Sequence, residues 1–150
     1  MGRVIAVLIL MLLFPLPLPV EHADAPQSGL PITKLKVGGH LITAQLALTP
    51  AQQQKGLMFR RAMRQDEGML FVFPEAAVRC FWMMNTELPL TLAFIDPDGS
   101  IVGLHDMNPR SFRSRCSDRP VRHVLEMHRG WFSQRGIMLG TRFSGQPFVR

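Results

Sequence analysis

Leu90-Thr91-Leu92-Ala93-Phe94-Ile95-Asp96, then Pro97-Asp98-Gly99, then Ser100-Ile101-Val102-Gly103-Leu104-His105-Asp106-Met107 is the stretch whose reading decides the fold. Two apolar-rich runs of strand length flank a triplet of turn residues. Proline presets φ, aspartate hydrogen-bonds its own backbone, and glycine accepts positive φ. The spacing predicts a β-hairpin, with strands over 90–96 and 100–107.

The same punctuation recurs on both sides. Residues 32–37 and 40–48 alternate apolar and polar around Gly38-Gly39, a second hairpin with positive-φ turn chemistry. Thr49-Pro50 reads as a helix N-cap followed by proline at the first helical position. A short helix over 51–55 follows, ended by Gly56. Further strands are predicted over 69–73, 79–83, 121–128 and 137–143, with a helical turn over 131–135. There is no internal repeat and no low-complexity segment. Short strands in this rhythm predict a mostly-β fold, a compact single-domain barrel or sandwich with one short helix.

Composition agrees. The chain has 150 residues, 47% hydrophobic and 19% charged, with 12 Gly and 12 Pro. That balance excludes a disordered chain, a collagen-like repeat, a coiled coil and a polytopic membrane protein. Formal net charge is +6, from 17 Lys+Arg against 11 Asp+Glu, and only Lys34, Lys36 and Lys55 are lysines. The positive charge is almost all guanidinium.

Residues 1–25 are of a different character. Arg3 precedes an unbroken apolar run of 11 residues over 4–14, a Pro-rich exit follows, and Ala23-Asp24-Ala25 closes the segment. A charged start, a short apolar core and a small-x-small end form the signal-peptide pattern. The core is shorter than the ~20 apolar residues of a spanning helix. Cleavage after Ala25 would place Pro26 immediately downstream, where its ring fits a protease poorly. Residues 1–25 are therefore either a signal peptide or an N-terminal membrane tether, and contain no cysteine for lipidation. Residues 26–31 read as a linker and 32–150 as the domain. Without 1–25, 16 basic and 9 acidic residues remain, net +7. The expected location is outside the cytoplasm, periplasmic or tethered on the outer face of the inner membrane.

Four blocks stand out: Gly56-Leu57-Met58-Phe59-Arg60, Gly68-Met69-Leu70-Phe71-Val72-Phe73, Phe81-Trp82-Met83-Met84-Asn85-Thr86, and Pro89 to Asp96. Val124-Leu125-Glu126 follows later. In order and spacing the chain resembles the family of domain of unknown function 192 over residues 33–142. The resemblance implies a single small β-rich domain, often exported in bacteria, and it implies no reaction. Two positions depart from the family pattern: Met84 stands where lysine is usual, and Thr91 where aspartate is usual. If those groups pair in relatives, losing both leaves no orphan charge, whereas losing one costs several kcal/mol. The departure argues against any mechanism that needs a carboxylate at position 91.

Read physically, Arg60, Trp82, Asn85, Thr86 and Glu126 are the candidate ligand-binding residues. An Arg fork beside amide and hydroxyl groups suits a carboxylate or phosphate, and a few polar groups on an apolar wall are the usual pocket pattern. The plainer alternative is that the aromatic residues fill the core, Asn85-Thr86 caps a turn and Arg60 pairs with Glu126.

Cys80 and Cys116 have one possible pairing, a candidate disulfide suited to an oxidising compartment. On a strand, Glu126 and His128 share a face while His123 points away, so the His123/Glu126/His128 group offers too few ligands for a metal site. No Ser-His-Asp spacing or Gly-x-Ser-x-Gly elbow exists, and no cofactor is expected. Arg110, Arg113, Arg115, Arg119 and Arg122 lie within 13 residues. Such a loop is a candidate contact for an anionic membrane surface. Nucleic acid is not expected, because no stacking platform or helix reader accompanies the charge. The sequence reads as an exported, non-catalytic domain that binds a small anionic ligand or an envelope component. A hydrolase-type enzyme on an envelope metabolite, or a structural protein-interaction module, are the alternatives.

Overall fold

The computed structural model describes residues 24–148, so the apolar run at 4–14 and the signal-peptide or tether reading built on it lie outside the described residues. Nine strands and one short helix follow: β1 (Ile32–Val37), β2 (His40–Ala47), α1 (Pro50–Lys55), β3 (Glu67–Ala77), β4 (Cys80–Phe81), β5 (Leu90–Ile95), β6 (Ile101–Met107), β7 (Arg115–Cys116), β8 (Val121–His128) and β9 (Phe143–Ser144). Seven strands form one sheet in the order β6-β5-β8-β3-β2-β1-β9, and β4 pairs with β7 separately. The fold is mostly β, as the turn spacing predicts.

Local chemistry sets the first hairpin and the helix. Gly38 and Gly39 both adopt positive φ, 54° and 84°, which only glycine enters without steric cost. At α1 the Thr49 hydroxyl accepts from the Gln52 N–H at 3.3 Å, while Gln52 Oε1 accepts from the Thr49 N–H at 3.0 Å, a reciprocal capping box. Gly56 ends the helix at φ 48°. Between them, α1 and residues 56–66 carry the chain across the sheet, and β2 and β3 pair in parallel. Every other pairing in the sheet is antiparallel.

The sheet curls, and a core cluster packs on each of its faces. β5 is buried at all six positions, which explains its nearly continuous apolar run. Ala93 and Ile95 face a first core cluster with Leu35, Ile42, Leu125 and Trp131. Leu90, Leu92 and Phe94 face a second, with Phe71, Met83 and Val124. Near the open side, the Ile101 N–H donates to the Thr141 carbonyl and the Phe143 N–H to the Gly99 carbonyl, each at 2.9 Å. These bonds draw β9 and its flanks from β1 toward the β5–β6 turn.

Three predicted segments differ from the structure. The final strand is only Phe143–Ser144, not 137–143. The Thr141 N–H donates to the Met138 carbonyl at 3.1 Å and Gly140 takes φ 83°, so the chain turns where alternation suggests extension. The stretch over 79–83 contributes two strand residues, held by β7 instead of by the main sheet. β3 runs on to Ala77 through an irregularity after Val72, where Pro74 is accommodated outside regular pairing.

Gly68 of β3 lies tight against β8. A Cβ there would meet the Glu126 carbonyl at 2.5 Å, and also the Met127 sulfur. Because backbone cannot yield as a side-chain tip can, Gly68→Ala is expected to cost about 2–3 kcal/mol. Urea unfolding followed by Trp131 fluorescence checks this; a loss below about 0.5 kcal/mol would mean that the two strands part easily.

Candidate functional site

The second core face is incompletely covered, and a cavity of about 300 Å³ remains between the sheet and its cover. Phe71 and Phe73 of β3 and Glu126 of β8 come from the sheet; Gln53 and Lys55 come from α1, and Leu57 follows it. The opposite wall is the run 78–82, closed by Thr86. That wall is fastened from outside by the Cys80–Cys116 disulfide, by the Arg79 N–H donating to Ser117 Oγ at 3.0 Å, and by the Met83 N–H donating to the Ser111 carbonyl at 2.9 Å.

Glu126 is the chemically distinctive member. β8 lies between β3 and β5, with Met69 and Leu92 as the neighbours of Glu126 in register. The residue is only 5% exposed. Burial raises its carboxyl to about 8, and the Arg60 charge, acting the other way, only partly offsets this. The group therefore holds its proton at neutral pH and offers an O–H donor to the cavity.

Arg60 influences this carboxyl without lining the cavity. Its Nη2 donates to the Gln27 carbonyl at 3.3 Å and to Gln45 Oε1. Burial pushes the guanidinium below its ordinary value, and Glu67 and then Glu126 oppose that shift. Its Nε is buried without a hydrogen-bond partner. Residues 26–31 lie along the domain here: Gln27 Nε2 donates to the Gly56 carbonyl at 2.8 Å, and the Pro31 carbonyl accepts from the Leu46 N–H at 2.8 Å.

Of the five candidate ligand residues, the structure brings Trp82, Thr86 and Glu126 to the cavity and leaves Arg60 and Asn85 outside its lining. Asn85 is exposed at φ 53° and its carbonyl accepts from the Phe59 N–H at 2.7 Å. It is a turn residue in a conformation asparagine tolerates. Thr86 is buried, and its hydroxyl donates to the Met84 carbonyl at 3.2 Å. The positive charge on the lining comes instead from Lys55 and Arg79. Arg79 stacks 3.9 Å above the Phe73 ring, donates from Nη2 to the Glu75 carbonyl at 2.7 Å, and keeps a buried Nε without a partner. Neither residue carried a motif; only the fold places α1 and β4 on opposite sides of Glu126.

The remaining polar candidates lie elsewhere. Thr91 faces the other side of β5, where its hydroxyl donates to Asp106 Oδ1 at 2.6 Å and accepts from the Gly130 N–H at 3.1 Å. A carboxylate thus stands beside position 91 although none stands at it. His123 is buried against Phe148, and burial, aided by Arg122, lowers it to about 4, so the ring is neutral. His128 Nε2 lies 2.8 Å from the Met63 carbonyl. Among the described residues, no group of three or more His, Cys, Asp or Glu is placed to hold a metal ion. In the basic stretch, Arg110 pairs with Glu87 at 2.8 Å and Arg119 with Asp96 at 3.2 Å. Arg122 donates to the Phe73 carbonyl at 3.2 Å.

The model of the family of domain of unknown function 192, described as an uncharacterised ACR, matches residues 33–145. The chain belongs to this family. The matched stretch contains all four motif blocks and runs from within β1 through β9. Two among the similar solved structures are bacterial. One, from Sinorhizobium meliloti 1021, is provisionally named a transcription regulator; it is 37% identical, with a TM-score of 0.77, over 79% of this chain and 97% of its own. The other, a protein of unknown function from Novosphingobium aromaticivorans DSM 12444, is 33% identical, with a TM-score of 0.76, over 81% of this chain and 91% of its own. No curated protein matches the chain significantly.

Proposed function

We propose that this domain of the 192 family is an exported, envelope-facing binding module that holds a small anionic ligand over Glu126 without transforming it. The observation that carries the reading is the Glu126 carboxyl, buried in a cavity lined by Lys55 and Arg79, where burial favours its protonated form. An ionised carboxylate there would repel an anion, whereas a neutral one donates a hydrogen bond to it. Phe71, Phe73, Phe81 and Trp82 supply an apolar wall, so the fitting ligand carries an anionic head and a short apolar body. Segment 1–25 supports export, and the Cys80–Cys116 disulfide agrees with an oxidising compartment.

A hydrolase-type enzyme is the second reading, favoured by the same carboxyl. A perturbed acid in a cleft is a recurrent catalytic feature, but hydrolysis also needs a base or nucleophile aligned with it. The cavity lining supplies no second carboxylate and no histidine.

Calorimetric titration with a panel of small organic monoanions tests the binding reading. Binding is expected below about pH 8 and should weaken above it, as Glu126 ionises. Glu126→Gln, which keeps a donor and cannot ionise, should bind with a flat pH profile, while Glu126→Ala should lose about tenfold in affinity, the worth of one hydrogen bond. Equal binding by all three proteins would remove Glu126 from the site.

A further inference from the structure

A pair of exposed aromatic residues begins at the rim of the cavity, at Trp82, and extends beyond it. Trp82 is 48% exposed and Phe112 71% exposed, and their rings meet edge to face with centroids 6.4 Å apart. They project from the segments that the β4–β7 pairing and its disulfide fasten together. Exposed aromatics this large, in mutual contact and away from either core cluster, point to a surface that is covered in use.

The charge around the pair is also distinctive. Within the basic stretch, Arg110 and Arg119 are neutralised by Glu87 and Asp96, and Arg122 is engaged at the Phe73 carbonyl. Arg113 and Arg115, the first and third residues after Phe112, are exposed and half-buried respectively, and take part in no ion pair among the described residues. The acidic residue in the same loop is Asp118, which is exposed. The backbone of Arg113 is held by its N–H donating to Ser111 Oγ at 3.2 Å.

We propose that the Trp82–Phe112 face, together with Arg113 and Arg115 of the segment that follows Phe112, seats on an anionic lipid surface. Protruding rings suit a fluid interface, which accepts an indole or phenyl at headgroup depth without a complementary pocket. The two unmatched guanidinium groups meet lipid phosphates, and each is worth about a factor of five in surface partition. Apolar segment 1–25 supports a location at a membrane. A protein partner would have to supply both matching carboxylates and a cleft for Phe112. Seating this face turns the Trp82 edge of the cavity toward the headgroups, yet the proposal does not depend on what the cavity holds.

The test uses the full chain reconstituted into vesicles with brominated acyl chains, either phosphatidylcholine alone or with about one-third phosphatidylglycerol. Bromine quenches only an indole that reaches the lipid, so attachment through the N-terminal segment alone gives no signal. Trp131 is buried and serves as the internal reference, with Trp82→Phe isolating its emission. In phosphatidylglycerol vesicles, Trp82 emission is expected to shift to the blue and be quenched, with little effect in phosphatidylcholine. Arg113→Gln/Arg115→Gln should lower the seated-to-free ratio about 25-fold, and Phe112→Ala about tenfold. Quenching that is absent, equal in both lipids or unchanged in the double arginine variant overturns the proposal. Phe112, Arg113 and Arg115 do not line the cavity, so these variants should retain anion binding, and the two readings fail separately. Retention of near-ultraviolet circular dichroism confirms that each variant is folded.

Discussion

Glu126→Gln is expected to stabilise the protein by roughly 3 kcal/mol at pH 7, with the gain rising to roughly 5 kcal/mol above pH 8. The folded carboxyl sits at about 8 against an ordinary value of 4.5. Below 4.5 both folded and unfolded chains hold the proton, and the shift costs nothing. Between the two values the unfolded chain releases its proton and the folded one does not. Stability therefore falls with rising pH by about 1.4 kcal/mol per unit. Above 8 both states are ionised and the loss is complete. Glutamine has no such equilibrium, so the variant's profile should be flat where the native profile slopes. Urea unfolding of both proteins at about pH 5, 7 and 9 measures this. Parallel profiles would mean that the carboxyl is ionised in the fold.

Removing the Cys80–Cys116 bridge is expected to cost about 4 kcal/mol, from the chain-entropy relation for a loop of this length. The two residues are 36 apart in sequence. The consequence reaches past stability, because Val78 to Trp82 form one wall of the cavity and β4–β7 holds only two residue pairs. Without the bridge, the wall retains its hydrogen bonds to Ser111 and Ser117. Cys80→Ser/Cys116→Ser should unfold at lower urea, lose anion affinity, and become insensitive to reductant. Native protein with a reducing agent should match it. A cost below about 1 kcal/mol would show that the hydrogen bonds and packing of the wall hold it without the bridge.

Where local chemistry dominates, the sequence was readable. Gly38-Gly39, Thr49-Pro50 and Pro97-Asp98-Gly99 each specify a backbone geometry within a few residues, and all three turns or caps occur. Strand β8 has the predicted bounds because Val121 to His128 is closed at both ends by turn residues. The misses are non-local. The β2–β3 parallel pairing depends on how α1 and residues 56–66 cross the sheet, which periodicity does not report. Residues 137–141 carry apolar side chains that suggest a strand, yet Met138 and Leu139 are 66% and 60% exposed around a tight turn.

The same division holds for the site. Glu126 could be found as a carboxylate in an otherwise apolar strand, and Trp82 and Thr86 as polar-tipped members of a motif block. Lys55 and Arg79 could not, since their relevance arises only when α1 and the run 78–82 face each other across Glu126. Arg60 illustrates the converse: it belongs to a motif block, and its field reaches the carboxyl, but its hydrogen bonds secure Gln27 and Gln45.

The central claim is a cavity that presents a protonated carboxyl to an anion. Its most direct test is a pH titration of the Glu126 side-chain carboxyl carbon by NMR, assigned against Glu126→Gln. The account predicts a midpoint near 8. A midpoint near 4.5, the ordinary glutamate value, would contradict it.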